Sequence, residues 1–435
     1  MADRTFKLPN IEELTKQQEK IRALPLKGQH MIVGGPGTGK SVVALLRARR
    51  LKQESENYHC LAFNKTLLQS NEQLFGEGLQ HQQWQSWFNK LYEQKFSQKP
   101  PCLPKIRPND NFPRTDWSAV LAQIEETRTQ NNATSDSNST DTALENDLLP
   151  FTENSDSDAP LTFAQVLADL TNYYLVIDEG QDMPANFYKA LIKLGFNNFF
   201  VVADQNQKID GDVNSSVQDI RNQLALKVSD VYPLGENFRN NYQIARLAES
   251  FYTDPASPKP ELPEKPQHDI TLPILYSYDE SKFSSIVRRM IITAKNSPKQ
   301  LIGVLCPNHT VREKYLDELI RISCNEEFLT TPITISTYDS HNRHQQSLTF
   351  DKGGIMVINS QSCKGLEFDH VFLVDINEHK AFGNDNDLLK KRFYVMTSRA
   401  KERLTLFRQI NEDASHIFAI LPSDDQKILE QRCYD

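Results

Sequence analysis

Gly34-Gly35-Pro36-Gly37-Thr38-Gly39-Lys40-Ser41 is entered from the apolar run Met31-Ile32-Val33 and left through Val42-Val43-Ala44-Leu45-Leu46. A buried strand, a glycine-rich turn and a helix in that order let backbone N–H groups curl inward around phosphate oxygens at the positive end of the helix. Gly35, Pro36, Gly37, Thr38 and Gly39 supply the cradle, Lys40 neutralises phosphate oxygens, and the Ser41 hydroxyl is placed to ligate Mg2+. The expected ligand is a nucleoside triphosphate with its magnesium ion.

A chain of 435 residues is too long for one hydrophobic core, so two or three domains are expected. No apolar run approaches the roughly 20 residues that cross a bilayer, and Met1-Ala2-Asp3-Arg4 leads into mixed polar sequence rather than a signal peptide, which points to a cytoplasmic protein with no membrane partner. Cys60, Cys102, Cys306, Cys324, Cys363 and Cys433 have no paired spacing, so neither a disulfide framework nor a zinc site is expected. The net charge of −8 speaks against a broadly basic surface, yet a local groove, not the total, sets attraction for nucleic acid. Part of the acidity is concentrated between Thr129 and Pro160, where Asp136, Asp141, Glu145, Asp147, Glu153, Asp156 and Asp158 stand without a lysine or arginine. That composition buries too little apolar surface to offset ordering, and predicts a disordered linker over 129–160.

Downstream, Tyr173-Tyr174-Leu175-Val176-Ile177 predicts a buried strand of a parallel sheet, ending in Asp178-Glu179-Gly180-Gln181-Asp182. Carboxylates at the tip of a central strand that faces a phosphate loop are where a metal ligand and a water-orienting base belong. Asp178 is therefore assigned to the metal and Glu179 to the catalytic water. Phe199-Phe200-Val201-Val202-Ala203 predicts another buried strand, followed by Asp204-Gln205-Asn206-Gln207, in which Gln207 is suited to sense the γ-phosphate. Later, Leu301 to Leu305 reads as a strand and Thr310 to Arg321 as a helix, which continues the α/β alternation of a doubly wound sheet.

In order, these segments resemble the superfamily 1 helicases of the UvrD/Rep-like branch. Leu14-Thr15-Lys16-Gln17-Gln18 looks like that family's Q motif, which places Gln18 at the adenine edge. Leu61-Ala62-Phe63-Asn64-Lys65 resembles the motif that touches single-stranded DNA, which implies nucleic-acid contacts by Phe63, Asn64 and Lys65. Asp178 to Asp182 matches DExQD, and Asp204 to Gln207 matches GDxxQ with Ala203 in place of glycine. Asn237-Phe238-Arg239 resembles the motif whose aromatic stacks on the base and whose arginine reaches the γ-phosphate. Lys364-Gly365-Leu366-Glu367-Phe368-Asp369 is close to the KGLEF signature, by which Glu367 joins the cofactor site, and Tyr394 to Lys401 resembles YVAxTRAK, by which Arg399 is an arginine finger.

The resemblance implies two RecA-like P-loop NTPase lobes of mostly parallel sheets flanked by helices. The first would span 1–90 and 165–233, interrupted by a small insertion at 91–164, and the second 234–435. It implies an ATP- and Mg2+-dependent DNA helicase or translocase moving 3′→5′ on single-stranded or partly duplex DNA. The alternative is a regulatory ATPase that gates a partner protein such as a nuclease. Three departures bear on that choice. The stretch between Arg239 and Lys364 is too short for the large insertion subdomain of processive relatives; Lys208-Ile209-Asp210-Gly211-Asp212-Val213 replaces the family's aromatic pair; and Val42 replaces an adenine-flanking arginine. Trp84, Trp87 and Phe88 offer substitute aromatics, although their helical spacing also suits a core stripe, while Arg47-Ala48-Arg49-Arg50 is expected to form a solvated helix face.

Overall fold

The computed structural model describes residues 6–104, 114–136, 166–167, 169–204, 214–253, 259–267, 271–325, 332–338, 348–380, 385–410, 413–423 and 426–434. They form an α/β structure of two separate parallel sheets flanked by helices. The first sheet contains β1 (Gln29–Gly34), β2 (Tyr58–Ala62), β3 (His81–Gln83), β4 (Tyr174–Ile177), β5 (Asn198–Ala203) and β6 (Val231–Leu234), in the order β3-β2-β4-β5-β1-β6. The second contains β7 (Ile274–Tyr278), β8 (Leu301–Cys306), β9 (Ile335–Thr337), β10 (Gly354–Asn359), β11 (Phe368–Leu373), β12 (Ala400–Gln409) and β13 (Glu430–Cys433), in the order β13-β7-β12-β11-β8-β10-β9.

Every residue of β4 and β5 is buried, as expected for strands covered on both faces. Alternation splits them. Leu175, Ile177, Phe199 and Val201 enter one apolar cluster with Met31, while Tyr174, Val176, Phe200 and Val202 enter another with Ile32, so helices on either side close two half-cores around a single sheet. The pairing order matters for function. β5 lies between β1 and β4, which brings the glycine-rich loop, Asp204 and the Asp178-Glu179 pair to three neighbouring strand tips.

Trp84, Trp87 and Phe88 lie on the helix Trp84–Phe96 and belong to the first sheet's core. Trp84 meets Phe187 edge-on at 5.0 Å, and Phe88 lies 5.1 Å from Trp117 of the helix Trp117–Asp136. The core stripe is thus the outcome for these aromatics. Trp87 is fully buried, and Trp87→Ala is expected to cost about 3–5 kcal/mol of stability. Urea denaturation checks this, and an unchanged midpoint contradicts the placement.

Residues 129–136, expected to begin the disordered linker, continue the helix Trp117–Asp136, and 137–160 lie outside the described residues. The solvated face expected at Arg47 is corrected as well. Arg47 is buried, donates to the carbonyls of Leu24 and Leu26 at 2.8 Å each and to that of Pro25, and stacks over Phe200 at 5.1 Å. An arginine on a buried helix face is tolerated because its fork satisfies several carbonyls at once. Among the described residues, no helix is long and apolar enough to cross a membrane. The six cysteines are free thiols.

Candidate functional site

The loop after β1 turns through Gly37 (φ 77°) and Gly39 (φ 85°), a backbone region that glycine enters without steric cost, and Gly39 caps the helix Lys40–Gln53. A Cβ at Gly37 would come within 2.2 Å of Asn237 Oδ1, and one at Gly39 within 2.4 Å of Gln18 Nε2. Gln18 and the Phe238 backbone hold the loop. Gln18 Nε2 donates to Thr38 O at 3.3 Å while its Oε1 accepts from Thr15 N at 3.2 Å, so this buried amide braces the glycine-rich loop. Phe238 N donates to Gly37 O at 2.9 Å, and its ring is 55% exposed. Lys40 Nζ donates to Gly35 O at 2.8 Å, which also accepts from the Thr38 hydroxyl at 2.9 Å, and lies 3.5 Å from Asp204 Oδ2.

Asp178 and Glu179 follow β4 and are both buried. Glu179 sits at φ 54°, ψ 47°, an arrangement that costs a non-glycine residue on the order of 1–3 kcal/mol and that concentrates at functional sites. Its backbone N–H donates to Asp178 Oδ1 at 2.9 Å, and its Oε2 accepts from Gln181 Nε2 at 2.6 Å. Gln181 Oε1 in turn accepts from Asp204 N at 2.9 Å, which ties the tips of β4 and β5 together. Burial raises the Asp178 carboxyl to about 6, with repulsion from Glu179 adding to it. Glu179 goes the other way. Burial pushes it up, but Lys364, Lys40, the Gln181 amide and Arg399 outweigh burial and hold it ionised below the usual carboxylate range.

The second sheet supplies the cations that face these acids. Arg399 follows the helix Asn386–Thr397, is fully buried, and is fixed by Nε on Val395 O at 2.8 Å and Nη2 on Ser398 Oγ at 3.2 Å. Burial, and then Arg239, lower its pKa from the ordinary arginine value. Arg239 Nη2 and Nε both donate to Glu367 Oε1, at 2.6 and 2.9 Å, and Lys401 Nζ lies 3.0 Å from Glu367 Oε2. Glu367 therefore orders two cations on the second-sheet side, and they keep its carboxyl ionised against the effect of burial. Lys364 crosses between the sheets to pair with Asp182, whose carboxyl burial pushes up to about 7 despite that partner.

A cavity of about 180 Å³ is lined from the first-sheet side by Pro36, Gly37, Gly39, Lys40, Ser41 and Glu179, and from the second by Arg239, Gly365, Glu367, Arg399 and Lys401. Its remaining wall is Phe6, Lys7, Val42, Ser70, Asn71 and Leu74, of which only Val42 entered the reading of the sequence. Gln207 lies outside the described residues. Phe63 is 38% exposed and Lys65 is exposed, whereas Asn64 caps the helix Lys65–Phe75 by accepting from Leu67 N at 2.7 Å.

The donor set suits magnesium. The Ser41 hydroxyl helps to stabilise the buried Asp178 carboxylate, so two hard oxygen donors stand together at the foot of the loop. No cluster of three or more His, Cys, Asp or Glu side chains among the described residues could hold a metal ion, and Mg2+ that bridges one or two protein oxygens to phosphates and water needs no such cage.

Residues 354–407, which span β10, β11 and the first part of β12, match the UvrD-like helicase C-terminal domain family. Among solved structures, the chain is similar to the C-terminal domain of a possible DNA helicase from Lactobacillus plantarum WCFS1, at 16% identity and a TM-score of 0.30, over 45% of this chain and 98% of that one. No curated protein matches the chain.

Proposed function

We propose that the chain is an ATP- and Mg2+-dependent DNA motor of the superfamily 1 type, moving 3′→5′ along a single strand. The observation that carries this reading is that Lys40 and Glu179 from one sheet and Arg239 and Arg399 from the other line a single cleft. Ser41 and Asp178 would hold Mg2+, which when bound neutralises phosphate charge. Glu179, kept ionised and oriented by Gln181, holds the attacking water. Lys40 and the two guanidinium groups stabilise the charge that spreads over the transferring phosphoryl group. Because the cations come from both sheets, a bound triphosphate draws the lobes together and product release lets them part. Phe63, Asn64 and Lys65 are the contacts assigned to DNA.

One observation favours the second reading, a regulatory ATPase that gates a partner such as a nuclease. Trp84, Trp87 and Phe88 are committed to the core, which leaves Phe63 as the stacking surface among the candidates, and a stacked base contributes only about 1–3 kcal/mol. Strand displacement on duplexes with 3′ or 5′ single-stranded tails separates the two readings. Displacement of the 3′-tailed substrate alone is the expected result; hydrolysis without displacement of either substrate gives the gating ATPase.

A further inference from the structure

The helix Lys65–Phe75 touches three parts of the molecule. At its start stand Phe63, Asn64 and Lys65, the residues assigned to DNA. On the side toward the second sheet, the Thr66 hydroxyl donates to Ser362 O at 3.1 Å, and Gln69 Oε1 accepts from Leu348 N at 3.3 Å. Gln73 completes a two-way amide contact, accepting from Phe350 N at 2.7 Å and donating to Leu348 O at 2.5 Å. Leu67 packs so closely on Gly365 that a Cβ there would meet its side chain at 2.6 Å. In the middle, Asn71 Nδ2 donates to Asp178 Oδ2 at 3.2 Å.

Asn71 is a poor choice for its surroundings unless that hydrogen bond matters. It is buried between the cleft on one side and Ala44, Leu45, Leu61, Val176 and Asp178 on the other, and occupies a helix interior where asparagine is disfavoured. A leucine of similar volume would fill the same space with better helix propensity. What a leucine cannot do is hold Asp178 Oδ2. With Glu179 N on Oδ1 and Asn71 on Oδ2, the carboxylate is held at both oxygens, one contact coming from its own strand tip and the other from a helix pinned to the second lobe.

We propose that Asn71 is a positioning residue for the metal ligand Asp178, through which a strand bound at Phe63 and Lys65 acts on metal binding. The inference rests on the nucleotide-hydrolysing reading of the cleft. A partner that orients a metal-ligating carboxylate is worth about 10-fold or more in metal affinity.

The test is Mn2+ affinity, read from the electron paramagnetic resonance of free Mn2+, for the full chain saturated with a non-hydrolysable ATP analogue, with and without oligodeoxythymidine. Wild type is expected to bind Mn2+ more tightly when the oligonucleotide is present. Asn71→Leu and Asn71→Ala should bind about 10-fold more weakly and no longer respond to the oligonucleotide, and Asn71→Gln, which keeps the amide donor, should recover part of the loss. Circular dichroism and thermal melting of all four proteins separate positioning from general damage to the fold. Wild-type Mn2+ affinity and oligonucleotide response in both Asn71→Leu and Asn71→Ala overturn the inference alone. Failure of wild type itself to bind metal with the analogue overturns it together with the nucleotide-hydrolysing reading.

Discussion

Lys40→Ala is expected to lower ATP hydrolysis by about 100- to 1,000-fold while the protein stays folded, because it removes a fixed positive charge from the place where phosphoryl charge develops. The local geometry explains why the fold should survive. Lys40 Nζ bonds Gly35 O, which keeps the Thr38 hydroxyl as a partner, and its other neighbour Asp204 remains tied to Gln181 through its backbone N–H. Phosphate release measured alongside circular dichroism reads both halves of the expectation. Full turnover by a folded Lys40→Ala protein would remove the phosphate loop from the chemistry.

The second large effect is expected at Arg399. Its guanidinium lines the cleft from the second-sheet side, opposite Lys40 and Glu179, and is held rigidly by Val395 O and Ser398 Oγ. A pre-ordered arginine that meets transition-state charge is worth about 1,000-fold or more in turnover. Arg399→Ala should therefore lose hydrolysis by about that factor, with a far smaller change in affinity for a fluorescent ATP analogue. Arg399→Lys should not restore it, since an ammonium lacks the planar fork. Some loss of thermal stability is expected too, because the buried Val395 carbonyl loses one of its two side-chain donors and keeps the Ser398 hydroxyl, at a cost of about 0.5–1.5 kcal/mol. An Arg399→Ala protein with wild-type turnover would place the catalytic cation elsewhere.

Much of the first-sheet half was legible in the sequence because its signals are local. A strand, glycines at fixed spacing and a lysine at the first helical residue specify one another within a dozen positions, and Asp178-Glu179 follows directly on its strand. Legibility failed where tertiary contacts assign the partner. Arg47 lies in a basic run that reads as solvent-facing, yet three carbonyls from residues 24–26 wait for it across the helix packing. The contacts that engage both ends of the Gln18 amide, with Thr15 N and Thr38 O, carry no local signal either. Nor does any local pattern tell that the Glu367 carboxylate meets Arg239 and Lys401. Phe6, Ser70, Asn71 and Leu74 carry no motif, and only the approach of the N-terminal segment and the helix Lys65–Phe75 to the second lobe brings them to the cleft.

The strand order adds a point that no local pattern conveys. Asp204 stands beside Lys40 because β5 pairs with β1 on one side and with β4 on the other, so the acids of two strand tips converge on the phosphate loop. Gln181 converts that adjacency into a fixed link, from the Glu179 carboxylate to the Asp204 backbone. Its place in the Asp178-Glu179-Gly180-Gln181-Asp182 run was visible in the sequence, and its partners were not.

If the cleft couples ATP hydrolysis to a bound strand, the steady-state rate of phosphate release should rise and saturate as single-stranded oligonucleotide is added to the full chain with ATP and Mg2+. The same oligonucleotide should leave Lys40→Ala and Arg399→Ala inactive. A wild-type rate that stays flat across oligonucleotides of varied length and sequence would contradict the coupling and leave an ATPase that answers to another partner.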